Sequence, residues 1–258
     1  QQVLGRVEVL YSAEMPAEQE GPFLEEERFL IDSIARILGS AAERRMAEQE
    51  VKKLNRLYRF ISEINSSVLK LDNGEAIYQE ACRIAVEHGN FRMAWIGRYD
   101  EMLGEVFVVT SAGHVDGYLQ KVRISARADI PEGMGPTGRA ARSGLYYYCN
   151  DIANDPVMRP WREEALKRNY HSSISFPIVV SGAVKGIYTL YMAETNFFTE
   201  TEIKLLQDVT DNIAFALDKI RISAMHQLTT AELLESELFG HVVGAFTGAV
   251  HDTIGKVA

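Results

Sequence analysis

Cysteine is scarce in this chain: there are two in 258 residues, Cys82 and Cys149, and neither has CxxC spacing. That excludes a disulfide framework or a cysteine-built zinc site and fits a reducing compartment. No apolar run reaches the ~18 to 20 residues that a membrane span needs, and the residues following Gln1 do not read as a signal peptide. Basic tracts are missing too, and a formal net charge of −9 argues against a nucleic-acid-binding surface. The expectation is a cytoplasmic protein with neither nucleic acid nor membrane as a direct partner. Catalytic constellations are also lacking. The six histidines are scattered, and no Ser–His–Asp, HExxH or paired-carboxylate spacing stands out. Binding and signalling remain, so the chain is read as a non-enzyme. What is present, 47% hydrophobic and 24% charged residues, is an ordinary globular composition for one large domain or two modest ones.

Proline is absent from Leu24 to Leu69, where the one glycine, Gly39, is read as a break or kink in a long helix. Leu54, Leu57, Ile61, Ile64 and Val68 follow a 3-4-3-4 spacing within it. That spacing predicts a parallel coiled-coil homodimer, the alternative being a helix packed on its own domain. The polar AERRMAEQEVKK stretch interrupts the seam. An internal echo accompanies this helix. VEVLYSAE at 7–14 resembles IYTLYMAE at 187–194, and each precedes a polar turn and an acidic helix start, FLEEERFLIDSI from Phe23 and FTETEIKLLQDV from Phe198. Either the chain opens inside the last strand and helix of a preceding domain, or any strand–turn–helix looks like this.

The middle of the chain alternates element types. The helix GEAIYQEACRIAVEHG is followed by two strands, FRMAWIGRYD and EVFVVTSAG, and by the loop DIPEGMGPTG with its short helix RAARSG. A strand at YYYCND and a helix at PWREEALKRNY come next. SISFPIVV and AVKGIYTLYMA then form a hairpin through Ser181-Gly182, and a helix from Thr199 to about Met225 closes the region. Helices flanking a mostly antiparallel sheet make the class α/β in the broad sense, or α+β.

FRMAWIGRYD, SAGHVDGYL, EGMGPTGRA, NDIANDP, WREEALKRNYHSSISFPI and FFTETEIKLL together resemble a GAF domain, covering about 57–219 in the family's order. The resemblance implies a central antiparallel sheet, helices behind it and a pocket in front. It does not supply a ligand, because such domains bind small molecules in some cases and only dimerise in others. A pocket could draw on Trp95 and Tyr99, which share a strand face, on Trp161, Arg162, Tyr170, His171 and Ser173 along the covering segment, and on Tyr188 in the hairpin. The same residues also suit a filled core with a hydrogen-bonded His171. The cyclic-nucleotide signature NKFDE does not occur. Cys149 could serve a tetrapyrrole or a redox sensor, though a lone strand cysteine is more often simply buried.

Gly133, Gly135 and Gly138 spell GxGxxG, but Asp129, Pro131 and Glu132 stand where a dinucleotide site needs an apolar strand. Arg139 and Ala140 replace the Lys and Ser/Thr of a phosphate loop. These glycines are read as a tight turn before a helix that Thr137 caps.

ESELFGHVVGAFTGAV at 235–250 resembles the AAA+ domain of sigma-54-dependent activators, whose GAFTGA loop, here 244–249, touches the sigma factor. The resemblance assigns Gly244 and Gly248 to a mobile backbone and Phe246 and Thr247 to the contact. Val243 stands where the family commonly has lysine. No GxxxxGK[ST] segment occurs, so no ATP site is expected in this chain and the cofactor is left unknown. Sigma-54 is then a partner only of an intact parent protein. Residues 231–258 are expected to be weakly ordered unless docked.

The organisation expected is therefore a terminal strand and helix of a GAF-like domain (1–39), a signalling helix (40–58), a GAF domain (59–219), a linker (220–230) and a sigma-54 interaction segment (231–258). Its function is sensory: a regulatory module binding a small ligand, dimerising, or both. The alternative is the input module of a sensor kinase or cyclic-dinucleotide enzyme, against which the tail argues.

Overall fold

The computed structural model describes residues 5–9, 24–241 and 253–254. They fall into two compact units that divide between Arg56 and Leu57. In the first, residues 5–9 form no strand and Val7 and Val9 are exposed. The strand expected over 7–14 is therefore not formed where it is described, and 10–14 lie outside the described residues. Helix α1 (Glu25–Ser67) begins with three glutamates, and the Glu27 carboxylate accepts from the Leu24 N–H at 3.0 Å. Negative charge at this end suits the helix dipole. The helix runs through Gly39 without the expected break, because a lone glycine costs only about 1 kcal/mol and removes no hydrogen bond.

The second unit starts inside the same helix. Leu57, Ile64 and Val68 are fully buried in its core together with Phe60, and Ile61 packs against them. The 3-4 stripe read as a dimer seam is thus an intramolecular face. A heptad pattern cannot tell a partner helix from a sheet, since both are flat apolar surfaces.

Helix α2 (Gly74–Glu87) starts where the Asn73 side chain accepts from the N–H groups of Glu75 (2.8 Å) and Ala76 (3.3 Å). It buries Ile77, Ala81, Cys82, Ile84 and Ala85 along one face. Strands β1 (Met93–Asp100), β2 (Glu105–Gly113), β3 (Tyr147–Cys149), β4 (Ser172–Val180) and β5 (Ala183–Met192) make one sheet in the order β2-β1-β5-β4-β3, every pairing antiparallel. Ser181 (φ 53°) and Gly182 (φ 78°) both adopt left-handed backbone, the two-residue turn whose twist matches a hairpin. A bulge at Ile178/Val179 then shifts the β4–β5 register by one residue.

Between β2 and β4 lie the short helices α3 (Tyr118–Lys121), α4 (Pro136–Ser143) and α5 (Arg162–Lys167). Helix α6 (Glu200–Phe239) opens with a capping arrangement in which Glu202 accepts from the Thr199 N–H (3.0 Å) and hydroxyl. Beyond it, β6 (Gly240–His241) pairs with β7 (Thr253–Ile254). The sigma-contact candidates Gly244, Phe246, Thr247 and Gly248 lie outside the described residues, as does most of the segment expected to be weakly ordered.

Both faces of the sheet are covered. Ala94, Ile96, Ile174, Phe176, Tyr188 and Leu190 join α1, α2 and α6 in one cluster. On the other face Met93, Trp95, Ile187 and Tyr191 join Tyr118, Ala140, Ala141, Met158, Trp161 and Ala165 in a second. Among the described residues, no helix is long and apolar enough to cross a membrane.

Candidate functional site

The second face encloses a cavity of about 20 Å³. Strands β1, β4 and β5 supply Trp95, Ser173, Ser175 and Tyr191. Helix α4 and its approach supply Glu132 and the run Gly135–Gly138, and Tyr118, Val122, Ile124, Met158 and Trp161 come from the covering segments.

Three features define its chemistry. First, a hydroxyl ladder crosses one wall: Thr137 Oγ1 lies 3.1 Å from Ser175 Oγ, which lies 2.9 Å from Thr189 Oγ1. Each hydroxyl can rotate to donate or accept. Second, Trp95 is 1% exposed, yet its Nε1–H meets no partner at hydrogen-bonding geometry. The indole is nonetheless close enough to Tyr191 to oppose, with Tyr118, the burial that drives that phenol's pKa up to about 12. Third, Trp161 is pinned over the cavity, its Nε1–H donating to the Arg123 carbonyl at 2.8 Å.

Arginines brace the cover without entering the lining. Arg168 donates to the carbonyls of Val115 (3.1 Å), Asp116 (2.6 Å) and Glu164 (2.7 Å), pairs with the Glu164 carboxylate at 2.8 Å, and lies over the Tyr118 ring at 5.5 Å. Lys167 and then Arg168 hold the Glu164 carboxyl down to about 2. Arg142 donates to the carbonyls of Ala126 (2.5 Å) and Gly133 (2.6 Å). Tyr170 donates to the His114 carbonyl, and burial drives its phenol above the ordinary range.

The structure brings together three of the eight candidate pocket residues, Trp95, Trp161 and Ser173, while Tyr170 is buried in the same cluster outside the lining. Tyr99 shares the Trp95 face and packs on the same cluster, outside the lining. Arg162 is turned to the backbone, donating to Ile152 O (3.3 Å) and Asp155 O (2.8 Å). His171 bonds Asn169 Oδ1 through Nε2 at 2.9 Å, near the surface, so the hydrogen-bonded alternative describes it. Tyr188 is a correction: it is buried in the opposite cluster and donates to Ala81 O at 3.0 Å. A two-residue turn without a bulge would pair residue 175 with 188. The bulge instead sets Ser175 opposite Thr189 and Ser173 opposite Tyr191, sending Tyr188 to the other face.

Thr137 is a second correction. Gly135 is the N-cap residue of α4, no side chain caps that helix, and the Thr137 hydroxyl joins the ladder. The GxGxxG glycines are packing residues. A Cβ on Gly133 would sit 1.6 Å from Arg127 O, one on Gly135 2.4 Å from the Trp161 ring, and one on Gly138 2.3 Å from Gly133 O.

Sequence reasoning missed Tyr118, Glu132, Ser175, Thr189 and Tyr191. Alternation along β4 from Ser173 would have reached Ser175; the others needed the register or the cover loop. Cys149 lies in the second cluster but does not line the cavity, and burial pushes its thiol up to about 12. Among the described residues, no group of three acidic, histidine or cysteine side chains could hold a metal ion.

Comparison with known proteins follows this geometry. Residues 74–218 match the GAF domain family, and residues 216–258 match the Sigma-54 interaction domain. A 29-residue segment is 69% identical to the alginate biosynthesis transcriptional regulatory protein AlgB of Pseudomonas aeruginosa, covering 11% of this chain and 6% of that protein. Its counterpart from Pseudomonas syringae pv. tomato is 71% identical over 28 residues, with the same coverage. Among solved structures, the GAF domain of a phosphoenolpyruvate-protein phosphotransferase from Coxiella burnetii superposes with a TM-score of 0.54 at 18% identity, over 67% of this chain and 98% of that one. Free methionine-R-sulfoxide reductase from Neisseria meningitidis follows with 0.52 at 17%, over 65% and 91%. At these identities the likeness is one of fold.

Proposed function

Because this chain belongs to the GAF domain family, matched over residues 74–218, we propose that its second unit is a non-catalytic sensor of a small molecule serving a sigma-54-dependent transcriptional regulator. The observation that carries the reading is a single helix. Helix α6 is built into the sheet's core through Leu206, Val209 and Ile213, and its backbone continues unbroken to Phe239, inside the segment that matches the Sigma-54 interaction domain. Sensor and output segments therefore share one continuous helix.

Occupation of the cavity would act on β4 and β5, whose opposite face packs against α6. A ligand that favours one packing of α6 shifts the population of output states by its difference in affinity for them. Support for a binding role over a catalytic one comes from the lining, which offers hydroxyls and a single carboxylate, Glu132, with no thiol, histidine or amine. The sigma-54 factor is the partner of the whole regulator through the 244–249 loop, and the setting is cytoplasmic.

Self-association belongs to the same proposal. With the core-facing stripe of α1 taken up by its own domain, a parallel homodimer would use the first unit's part of the helix, where Leu30, Ile34, Ile37 and Val51 are exposed. Sedimentation equilibrium of the full chain is expected to show a dimer; a monomer at high concentration refutes that part. For the sensor part, native mass spectrometry of the purified chain should find a retained small molecule. Hydrogen exchange should then map its protection to α4, α5 and β4. Protection confined to the α2 and α6 side would sink the reading.

A further inference from the structure

We infer that the cavity selects an uncharged, flat molecule that accepts a hydrogen bond at one end and donates one at the other, the chemistry of a carboxamide or a nitrogen heterocycle, and that it rejects carboxylates and phosphates. This rests on the proposed reading of the cavity as a ligand site and adds what the ligand must be.

The acceptor requirement comes from Trp95. It lines the cavity, is 1% exposed, and carries an Nε1–H without a hydrogen-bond partner. A buried donor left unpaired is costly, so a ligand acceptor there gains the bond and removes the penalty together. Tyr191 lies near enough for the indole to act on its phenol, but no wall atom accepts at hydrogen-bonding geometry. Ser175 and Thr189 bond each other and Thr137, and the Tyr191 hydroxyl faces that of Tyr118 at 3.4 Å.

The charge requirement comes from Glu132, the one ionisable group in the lining apart from the tyrosines. No lysine, arginine or histidine lines the cavity, and three guanidiniums of the surrounding segments are committed. Arg142 bonds Ala126 O and Gly133 O, Arg162 bonds Ile152 O and Asp155 O, and Arg168 bonds Val115 O and Asp116 O. An anion would enter beside a carboxylate with no counter-ion. The start of α4 is uncapped by any side chain and presents positive dipole, but that amounts to roughly half a charge against a full one. It suits a carbonyl dipole rather than an oxyanion. Glu132 in turn suits an N–H.

Shape completes the assignment. Trp95, Trp161, Tyr118 and Tyr191 present ring surfaces. A cavity of about 20 Å³ has room for roughly one water-sized molecule. A ring enters by lifting Trp161 from Gly135, against one indole hydrogen bond to Arg123 O.

Benzamide and benzoate, nearly identical in shape and different in charge, test this with the full chain by isothermal titration calorimetry. Benzamide should bind at least about tenfold more tightly, since like charges across an interface are strongly disfavoured. Glu132→Gln should close that gap by admitting benzoate, and Trp95→Phe should weaken benzamide more than it weakens benzoate. Benzoate binding as tightly as benzamide, or a gap unaltered by Glu132→Gln, overturns the inference. Failure of both probes alongside a retained molecule that protects α4 and β4 also overturns it and leaves the sensor reading standing. Failure of both with no retained molecule removes the two together.

Discussion

Replacing Gly138 by alanine should reverse the usual sign of that substitution in a helix. Gly138 lies in α4, where alanine ordinarily stabilises by about 0.5–1 kcal/mol. Here an added Cβ would stand 2.3 Å from Gly133 O and 2.5 Å from Ser125 O, both backbone atoms that no side-chain rotation can move. The 125–133 segment must shift, at about 1–3 kcal/mol for overpacking. It would carry with it the Gly133 carbonyl that accepts from Arg142 at 2.6 Å, a charge-assisted bond of about 1.5–3 kcal/mol. Taking mid-range values and subtracting the propensity gain leaves about 3.5 kcal/mol of net destabilisation. For a domain of this size that lowers the thermal midpoint by about 7–14 °C. Urea and thermal unfolding of the full chain, followed by tryptophan fluorescence, report it through Trp95 and Trp161. Gly39→Ala is the control: it makes the same change in α1, meets nothing within 4 Å, and should not lower the midpoint. A Gly138→Ala protein as stable as wild type would show that these glycines are not packing residues.

Tyr188→Phe should lose about 1 kcal/mol from the buried bond to Ala81 O and leave ligand affinity unchanged, because the hydroxyl serves the opposite core; weakened affinity would return Tyr188 to the pocket. Glu164→Gln should destabilise at pH 7. The carboxyl is held down to about 2 in the fold, so its stabilisation is complete above the unfolded value near 4.5 and fades as pH falls from there towards 2. The difference between variant and wild type in denaturation at successive pH values should shrink over that window, and a difference constant across it contradicts the Lys167–Glu164–Arg168 arrangement. Both cysteines are buried, with burial raising each thiol pKa, so neither should react with a thiol reagent at pH 8 until the chain unfolds. Rapid labelling of native protein would refute that.

How much of this was legible depends on the range of the signal. Element identity was local and readable: the Ser181-Gly182 turn between apolar runs, the acidic start of α6, and the motifs that placed the chain in its family. The stripe on α1 was also readable, but its partner was not. Leu57 and Ile64 would be buried equally well by a second chain or by their own sheet, and only the fold shows which. Gly133, Gly135 and Gly138 spell a nucleotide-type motif that their neighbours ruled out, and the shared spacing arises because tight approach to a ligand and to one's own backbone demand the same missing Cβ.

The amino-acid order by itself determined the class of fold, the order of the main elements from α2 to α6, and the family. These rest on turn chemistry, two-residue alternation and motif spacing, which are written within a few residues. The tertiary structure alone decided which side chains meet. One bulge at Ile178/Val179 exchanges Tyr188 for Tyr191 at the cavity wall, with Thr189 hydrogen-bonded to Ser175 beside it, and the cover loop brings in Tyr118 and Glu132 from distant positions. Register is a property of two strands together, so no single strand's sequence carries it.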